Sequence, residues 1–558
     1  MSSRNAITGI PRVPAPVNEP TIDWVPGSSE DRALQVELDR VGTQVADLHH
    51  VIGGEAYRTD ATTPVVAPHE HSRVLGALAV AEPKHVQLAI EAALEARDQW
   101  SRMAWWDRAA IFTRAAELVT GKYRLELTAT TMLGQSKTYH QAEIDVCELA
   151  DFFRYNASFV RLINDTQPDS VAGEWNYLDQ KPLEGFVLAI TPFNFIAISG
   201  NLPATPAMVG NVVVWKPAEK AALSAQVVMR IFQEAGLPQG VINLVHGSGE
   251  LIAREAVASE HFAGLNFTGS TAVFNSLYRT VAGNLDHYRS YPRLVGETGG
   301  KNAIVVHPSA DMDAVFVALV RSSFEYQGQK CSAASRAYVP RSAWAALRER
   351  LVATVGSLKL GDIRSHDTFI GAVIDERAFQ RLRDAIERAN ALDTHRLVVG
   401  GGTDSSIGWF VEPTIFEITD PHAFSMTDEL FGPFLAVHVY DDAQPTAWTD
   451  VLKLADQTSK YALTASVWAA ERTALVEALD VLRDAAGMTY INDKPTGALI
   501  GRQAFGGGRA SGTNDKTGSP AALLRWVNAR FVKENLNPAL EWTYPYMSEH
   551  RPAGPFGL

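Results

Sequence analysis

Cysteine is nearly absent: two residues in 558 give no disulfide framework. A chain with free thiols survives best in a reducing compartment, so the expected location is the cytoplasm. Long apolar runs are missing too, and none approaches the ~20 residues that cross a bilayer. Positive charge is in deficit, with 50 Lys and Arg against 63 Asp and Glu and a formal net charge of −13. That balance disfavours nucleic acid and anionic membrane as partners. The start, residues 1–20, has no apolar h-region and little positive charge, and it is expected to be a loose arm instead of a targeting segment. Short-period repeats and low-complexity segments are not evident.

What is present is an ordinary globular composition, 46% hydrophobic and 20% charged, long enough for two to four domains. Apolar residues recur at helical spacing over residues 84–100, 106–121 and 143–155. The texture then changes. Short apolar runs at 185–191, 211–216, 240–245 and 264–267 are bounded by Gly or Pro, and helical stretches such as 224–236 and 249–259 lie between them. Strands alternating with helices in this way predict βαβ crossovers and a parallel sheet. A second block repeats the pattern with strands at 302–306, 336–339, 397–400 and 435–440 and helices at 311–326, 344–355 and 377–392. The predicted fold class is α/β, with two doubly wound domains. Between them runs the glycine-rich crossing Val295-Gly296-Glu297-Thr298-Gly299-Gly300-Lys301-Asn302, and clefts between domains are where ligands bind.

Cys331 is the first chemical candidate, in Gly328-Gln329-Lys330-Cys331-Ser332. A thiol is the best side-chain nucleophile near neutral pH, and the cation and amide before it are expected to favour the thiolate. Cys147 lies beside Val146, Leu149, Ala150 and Phe153 on one helical face and is expected to be core. Glu297 is crowded by glycines, so its carboxylate can face a cleft and draw a proton from a thiol or water if burial lifts its pKa. Asn194, in Thr191-Pro192-Phe193-Asn194-Phe195 at a strand end, suits an oxyanion donor.

A nucleotide is suggested by three turns. Gly249, in His246-Gly247-Ser248-Gly249-Glu250, follows a strand and opens a helix, the context in which backbone amides meet a pyrophosphate. Phe267 and Ser270 bracket the next such turn. Lys216 and Glu219, in Trp215-Lys216-Pro217-Ala218-Glu219, can grip an adenosine ribose, and the carboxylate would repel a 2′-phosphate. Thiol, acid, amide and nucleotide cradle together point to aldehyde oxidation. The thiolate adds to the aldehyde, hydride leaves to a nicotinamide, and water activated by Glu297 cleaves the thioester. No metal is expected.

These motifs, in this order, resemble those of the NAD(P)-dependent aldehyde dehydrogenase superfamily over about residues 53–546. GQKCSA around Cys331, GETGGKN around Glu297 (with Thr298 where Leu is more usual), TPFNF at Asn194 and Lys216-x-x-Glu219 carry the likeness. The resemblance implies NAD as cofactor, with Glu429 on the nicotinamide ribose and Phe431 beside the ring. It implies an NAD-binding domain of residues 53–161 and 185–296 and a catalytic domain of 297–512. It further implies an oligomerisation flap of 162–184 and 513–546 after an arm of 1–52, and a homo-oligomer.

Residues 492–498 and 505–516 are similar to the aldehyde-anchor loop of the members that act on glutamate γ-semialdehyde. By that likeness the amides of Gly497 and Ala498, with the Ser332 hydroxyl, hold an α-carboxylate. Phe193 and Phe505 flank the aliphatic chain, Glu143 meets the ammonium group, and Lys330 belongs to the same substrate set. The expected reaction is oxidation of that semialdehyde to glutamate, the second step of proline catabolism. Residues before Gly53 are too few for a proline dehydrogenase segment, so a separate proline dehydrogenase is the candidate supplier of substrate. The rival expectations are another semialdehyde such as succinate semialdehyde, a catalytically silent binding module of the same fold, and a thiol hydrolase. The hydrolase leaves the Lys216/Glu219 pair unexplained.

Overall fold

The computed structural model describes residues 9–547. Two seven-stranded sheets organise the chain. The first runs, edge to edge, through Arg293–Glu297, Phe262–Thr268, Phe186–Ile190, Val212–Lys216, Ile242–Leu244, His50–Ile52 and Glu55–Tyr57. Its first five strands are mutually parallel, and the last two form an antiparallel hairpin at the edge. Val212–Lys216 is buried at every position, as a Val-rich strand must be when helices cover both faces of its sheet.

The second sheet runs through His395–Val399, Thr414–Ile418, Phe434–Tyr440, Ala334–Pro340, Asn302–Val306, Thr464–Trp468 and Met488–Ile491. It is parallel except for its first edge strand. One apolar cluster surrounds the first sheet, and two others include alternate residues of the second, such as Val305 and Ile304. Glu297 is the last residue of a strand in the first sheet and Asn302 the first residue of a strand in the second. The glycine-rich crossing therefore spans the two sheets.

Three elements differ from expectation. The helix expected at 143–155 extends over Tyr139–Asp165, because Leu149, Phe153, Ala157 and Val160 continue its buried face. Much of the arm expected at 1–52 is built into the fold. Ser29–Thr43 is a helix, capped by Ser28 Oγ accepting from the Asp31 amide at 3.1 Å, with Leu34, Leu38 and Val41 buried along one face. His50–Ile52 then joins the first sheet. Residues 9–28 have no regular secondary structure, and residues 1–8 of the expected arm lie outside the described residues.

A two-stranded antiparallel ribbon, Glu174–Pro182 with Val527–Asn535, stands apart from both sheets. It carries exposed Trp175, Tyr177 and Phe531. Among the described residues no helix is long and apolar enough to cross a membrane.

Candidate active site

Cys331 and Glu297 line one cavity of ≈ 280 Å³. The turn that delivers Cys331 is backbone-strained. Tyr326, Gln327 and Gly328 have φ of 52°, 56° and 64° in succession, which only a well-supported turn sustains. Support comes from Gln327, whose Nε2 donates to the carbonyls of Ser136 (2.9 Å) and Ala372 (2.7 Å). A Cβ on Gly328 would lie 2.4 Å from the Gly432 carbonyl oxygen, so the turn needs glycine on packing grounds as well. Beyond it, Asn302 Nδ2 donates to the carbonyls of Cys331 (2.7 Å) and Ala333 (2.8 Å). The first residue of the second sheet thus holds the nucleophile's own peptide.

The electrostatics of the thiol differ from the expectation. Burial pushes the Cys331 pKa up, and Glu297, Glu429 and Glu148 push it further the same way. Lys330 does not offset this: its ammonium is turned to Glu325 Oε2 at 3.2 Å, and burial lowers its pKa to about 8. Glu297 is raised well above the ordinary carboxylate value by burial, then by Asp515, against a smaller pull from Lys516. Neither carboxylate oxygen of Glu297 has a hydrogen-bond partner among the described residues. A carboxylate with a raised pKa is, once ionised, a stronger base than an ordinary one, and with neither oxygen bonded to protein the Glu297 side chain can turn towards sulfur or water.

Asn194 is buried, and its Nδ2 donates to the Gln329 carbonyl at 3.0 Å, two residues before the nucleophile. An amide carries two N–H groups, so this bond fixes the side chain while leaving one donor for an oxyanion. Thr298 ties the crossing to the 505–516 loop through its amide to Ser511 O (3.0 Å) and its hydroxyl to Ala510 O (2.7 Å). A Leu there could not make the second bond.

Of the expected substrate residues, Ser332, Gly497, Ala498, Phe505 and Lys330 line the cavity. Gly497 has φ +95°, and the Ser332 hydroxyl lies 2.8 Å from that of Thr496. Two expectations are corrected. Glu143 is fully buried, ion-paired to Arg124, and its Oε1 accepts from the Ile22 amide at 2.9 Å, so it holds structure and does not meet substrate. The acid on that helix which lines the cavity is Glu148, with its pKa pushed up to about 8 by burial and by Asp145. Five residues separate the two, roughly 140° around an α-helix. Phe193 is the second correction. The chain bends at Phe193-Asn194, and Phe195 lines the cavity while Phe193 packs edge-on against Phe431 at 5.9 Å.

The nucleotide residues gather at the strand ends of the first sheet. Gly249 opens the Gly249–Val257 helix behind the cap Ser248, and Ser270 caps Thr271–Gly283 by accepting from the Val273 amide at 3.4 Å. Phe267 is buried in the strand before that turn. Lys216 is buried with its Nζ beside Gly249, where a Cβ would stand 3.6 Å from it; burial lowers its pKa, and exposed Glu219 opposes this only in part. Two helix N-termini and a buried ammonium with its face left open by glycine fit a dinucleotide pyrophosphate and ribose. Glu429 accepts from the Gly300 amide at 2.7 Å through Oε1, and burial raises its pKa to about 6.

Sequence reasoning missed Glu148 and Phe195, although an acid set among Val146, Leu149 and Ala150 was a signal for the first. Asn302 gave none.

The family model described as the aldehyde dehydrogenase family matches residues 56–532. The chain belongs to that family. A protein of Dictyostelium discoideum named mitochondrial Delta-1-pyrroline-5-carboxylate dehydrogenase is 46% identical over 539 residues, 96% of each chain. The human protein of the same name is 44% identical over 532 residues, 95% of this chain and 94% of its own. A crystal structure of the Delta-pyrroline-5-carboxylate dehydrogenase from Mycobacterium tuberculosis bound with NAD superposes with TM-score 0.93 at 48% identity, covering 97% of this chain and all of that one.

Proposed function

We propose that this chain oxidises L-glutamate γ-semialdehyde, the open form of Δ1-pyrroline-5-carboxylate, to L-glutamate with NAD. One observation carries the substrate: the cavity that holds Cys331 and Glu297 also holds an acid, Glu148, and the Gly497–Ala498 turn. An acid for an ammonium group and consecutive amides for a carboxylate are what an α-amino acid aldehyde needs. The whole-chain likeness to proteins named for that reaction supports the same reading.

Glu297 takes the Cys331 proton, and the thiolate adds to the aldehyde carbon. Asn194 Nδ2 and the Cys331 amide receive the oxyanion. NAD, when bound at Lys216, Glu219, Gly249, Phe267, Ser270, Glu429 and Phe431, accepts the hydride as the C–O double bond re-forms. Glu297 passes its proton out, then deprotonates a water that attacks the thioester carbon. The C–S bond breaks, releasing glutamate and restoring sulfur. Two electrons leave the aldehyde as the hydride of NADH, and the added oxygen comes from water.

Residues 53–161 with 185–296 form the NAD-binding domain and also lend Glu148 and Asn194 to the chemistry, while residues 297–512 form the catalytic domain and lend Glu429 and Phe431 to NAD. The ribbon of Glu174–Pro182 and Val527–Asn535, with its exposed aromatics, supports a homo-oligomer. Both free thiols support a reducing, cytoplasmic setting.

The test is steady-state NADH formation with pyrroline-5-carboxylate, with glutamate identified as product. Succinate semialdehyde, which lacks the ammonium group, is expected to have a kcat/KM at least about tenfold lower. Equal values would overturn the substrate assignment.

A further inference from the structure

Residues 18–22 have no regular secondary structure, yet Asn18, Glu19, Pro20 and Ile22 are each gripped by polar contacts, mostly from the helix Tyr139–Asp165 and from Arg124. Asp151 accepts from Asn18 Nδ2 (2.9 Å) and from the Glu19 amide (2.7 Å). Glu19 bridges Arg124 and Arg154, each at 2.7 Å. Arg124 also donates to the Pro20 carbonyl at 2.8 Å, and the Ile22 amide donates to Glu143 at 2.9 Å. Asn18 Nδ2 reaches further, to the carbonyl of Ile500 at 3.0 Å, two residues past Ala498.

This strap is also part of the cavity. Glu19 and Thr21 line it together with Cys331, Glu148 and Asp151, and Thr21 is exposed, placing it at the rim. Ordering a segment without regular secondary structure costs conformational entropy at every residue, so a grip of seven polar contacts over five residues needs a structural return. No strand pairing supplies it, since no described strand begins before Ala46.

We propose that residues 18–22 form a specificity rim: they complete the wall of the aldehyde cavity and clamp Glu148's helix to the anchor loop, so that the arm sets which aldehydes reach Cys331. Glu143, Asp151, Arg124 and Arg154 are then positioning residues that act through the arm. This rests on the glutamate semialdehyde reading, and the two fail differently. If the parent protein does not turn over that substrate, the functional assignment falls. If it does, the variants below judge the rim alone.

Thr21→Trp changes an exposed side chain and leaves the grip intact. It is expected to raise KM for glutamate semialdehyde at least about tenfold, with kcat and KM for NAD within twofold of the parent. Asn18→Ala/Glu19→Ala releases the grip. It is expected to speed hydrogen exchange at the Glu19 and Ile22 amides and to raise the kcat/KM ratio of hexanal over glutamate semialdehyde about tenfold. Should the double variant lose NAD binding, Asn18→Ala alone serves, read by the same exchange and the same ratio. The proposal is overturned by an unchanged KM in Thr21→Trp, by unchanged exchange in the release variant, or by faster exchange with an unchanged aldehyde ratio.

Discussion

Lys137 Nζ lies 2.5 Å from Asp145 Oδ2, and both side chains are wholly buried. The pair joins the two loops that must meet for catalysis. Asp145 accepts from the amides of Ile196 and Ala197, each at 2.9 Å, at the start of the helix that follows Asn194 and Phe195. Lys137 is seated against the rings of Phe195 at 4.4 Å and Tyr326 at 4.6 Å, the latter in the strained turn before Cys331. Removing one partner of such a pair leaves the other charge buried. Lys137→Met is therefore expected to destabilise the fold by about 3–5 kcal/mol in denaturant titration, and to lower kcat more than it raises KM.

Gly300 is a second joint. A Cβ there would fall 2.3 Å from the Cys331 carbonyl oxygen, against backbone that cannot swing aside. Gly300→Ala is expected to displace the nucleophile and lower kcat about 10²-fold, with NAD binding kept, as stopped-flow and fluorescence titration would report.

Much of this was legible in the sequence because strand-to-helix turns carry local signatures. Gly249, Ser270, Lys216 and Glu219 each sit beside a strand end that its own neighbours predict. Cys331, Glu297 and Ser332 stand out by residue type among glycines. Glu148 and Phe195 were hidden because facing is a tertiary property: on the Tyr139–Asp165 helix, buried on most sides, periodicity does not tell which acid meets a cavity and which meets Arg124. The thiol's environment was misjudged for a related reason. Lys330 adjoins Cys331 in sequence, yet its charge is spent on Glu325.

The Glu148 pKa near 8 gives a pH test with a definite sign. An acid raised in the folded state holds its proton more tightly there than when unfolded. Its contribution to stability is full below the unfolded value of 4.5 and is lost as pH rises through about 8. An ammonium ligand favours the ionised form, so binding glutamate at pH 7 is expected to release a proton. Calorimetry in buffers of different ionisation enthalpy measures that release, and Glu148→Gln is expected to abolish it and weaken binding about tenfold.

Glu219 is expected to set cofactor choice. It stands exposed directly after the strand Val212–Lys216, where a 2′-phosphate would meet its charge. NAD is expected to exceed NADP in kcat/KM, and Glu219→Gln to narrow the ratio about tenfold in NADPH and NADH assays.

The covalent role of Cys331 is tested most directly by acid-quenching the enzyme during turnover with pyrroline-5-carboxylate and NAD, then mapping the acyl adduct by peptide mass spectrometry. An adduct on the Cys331 peptide, lost in Cys331→Ala together with NADH formation, is the predicted result. An adduct on Cys147, or undiminished turnover by Cys331→Ala, would contradict it.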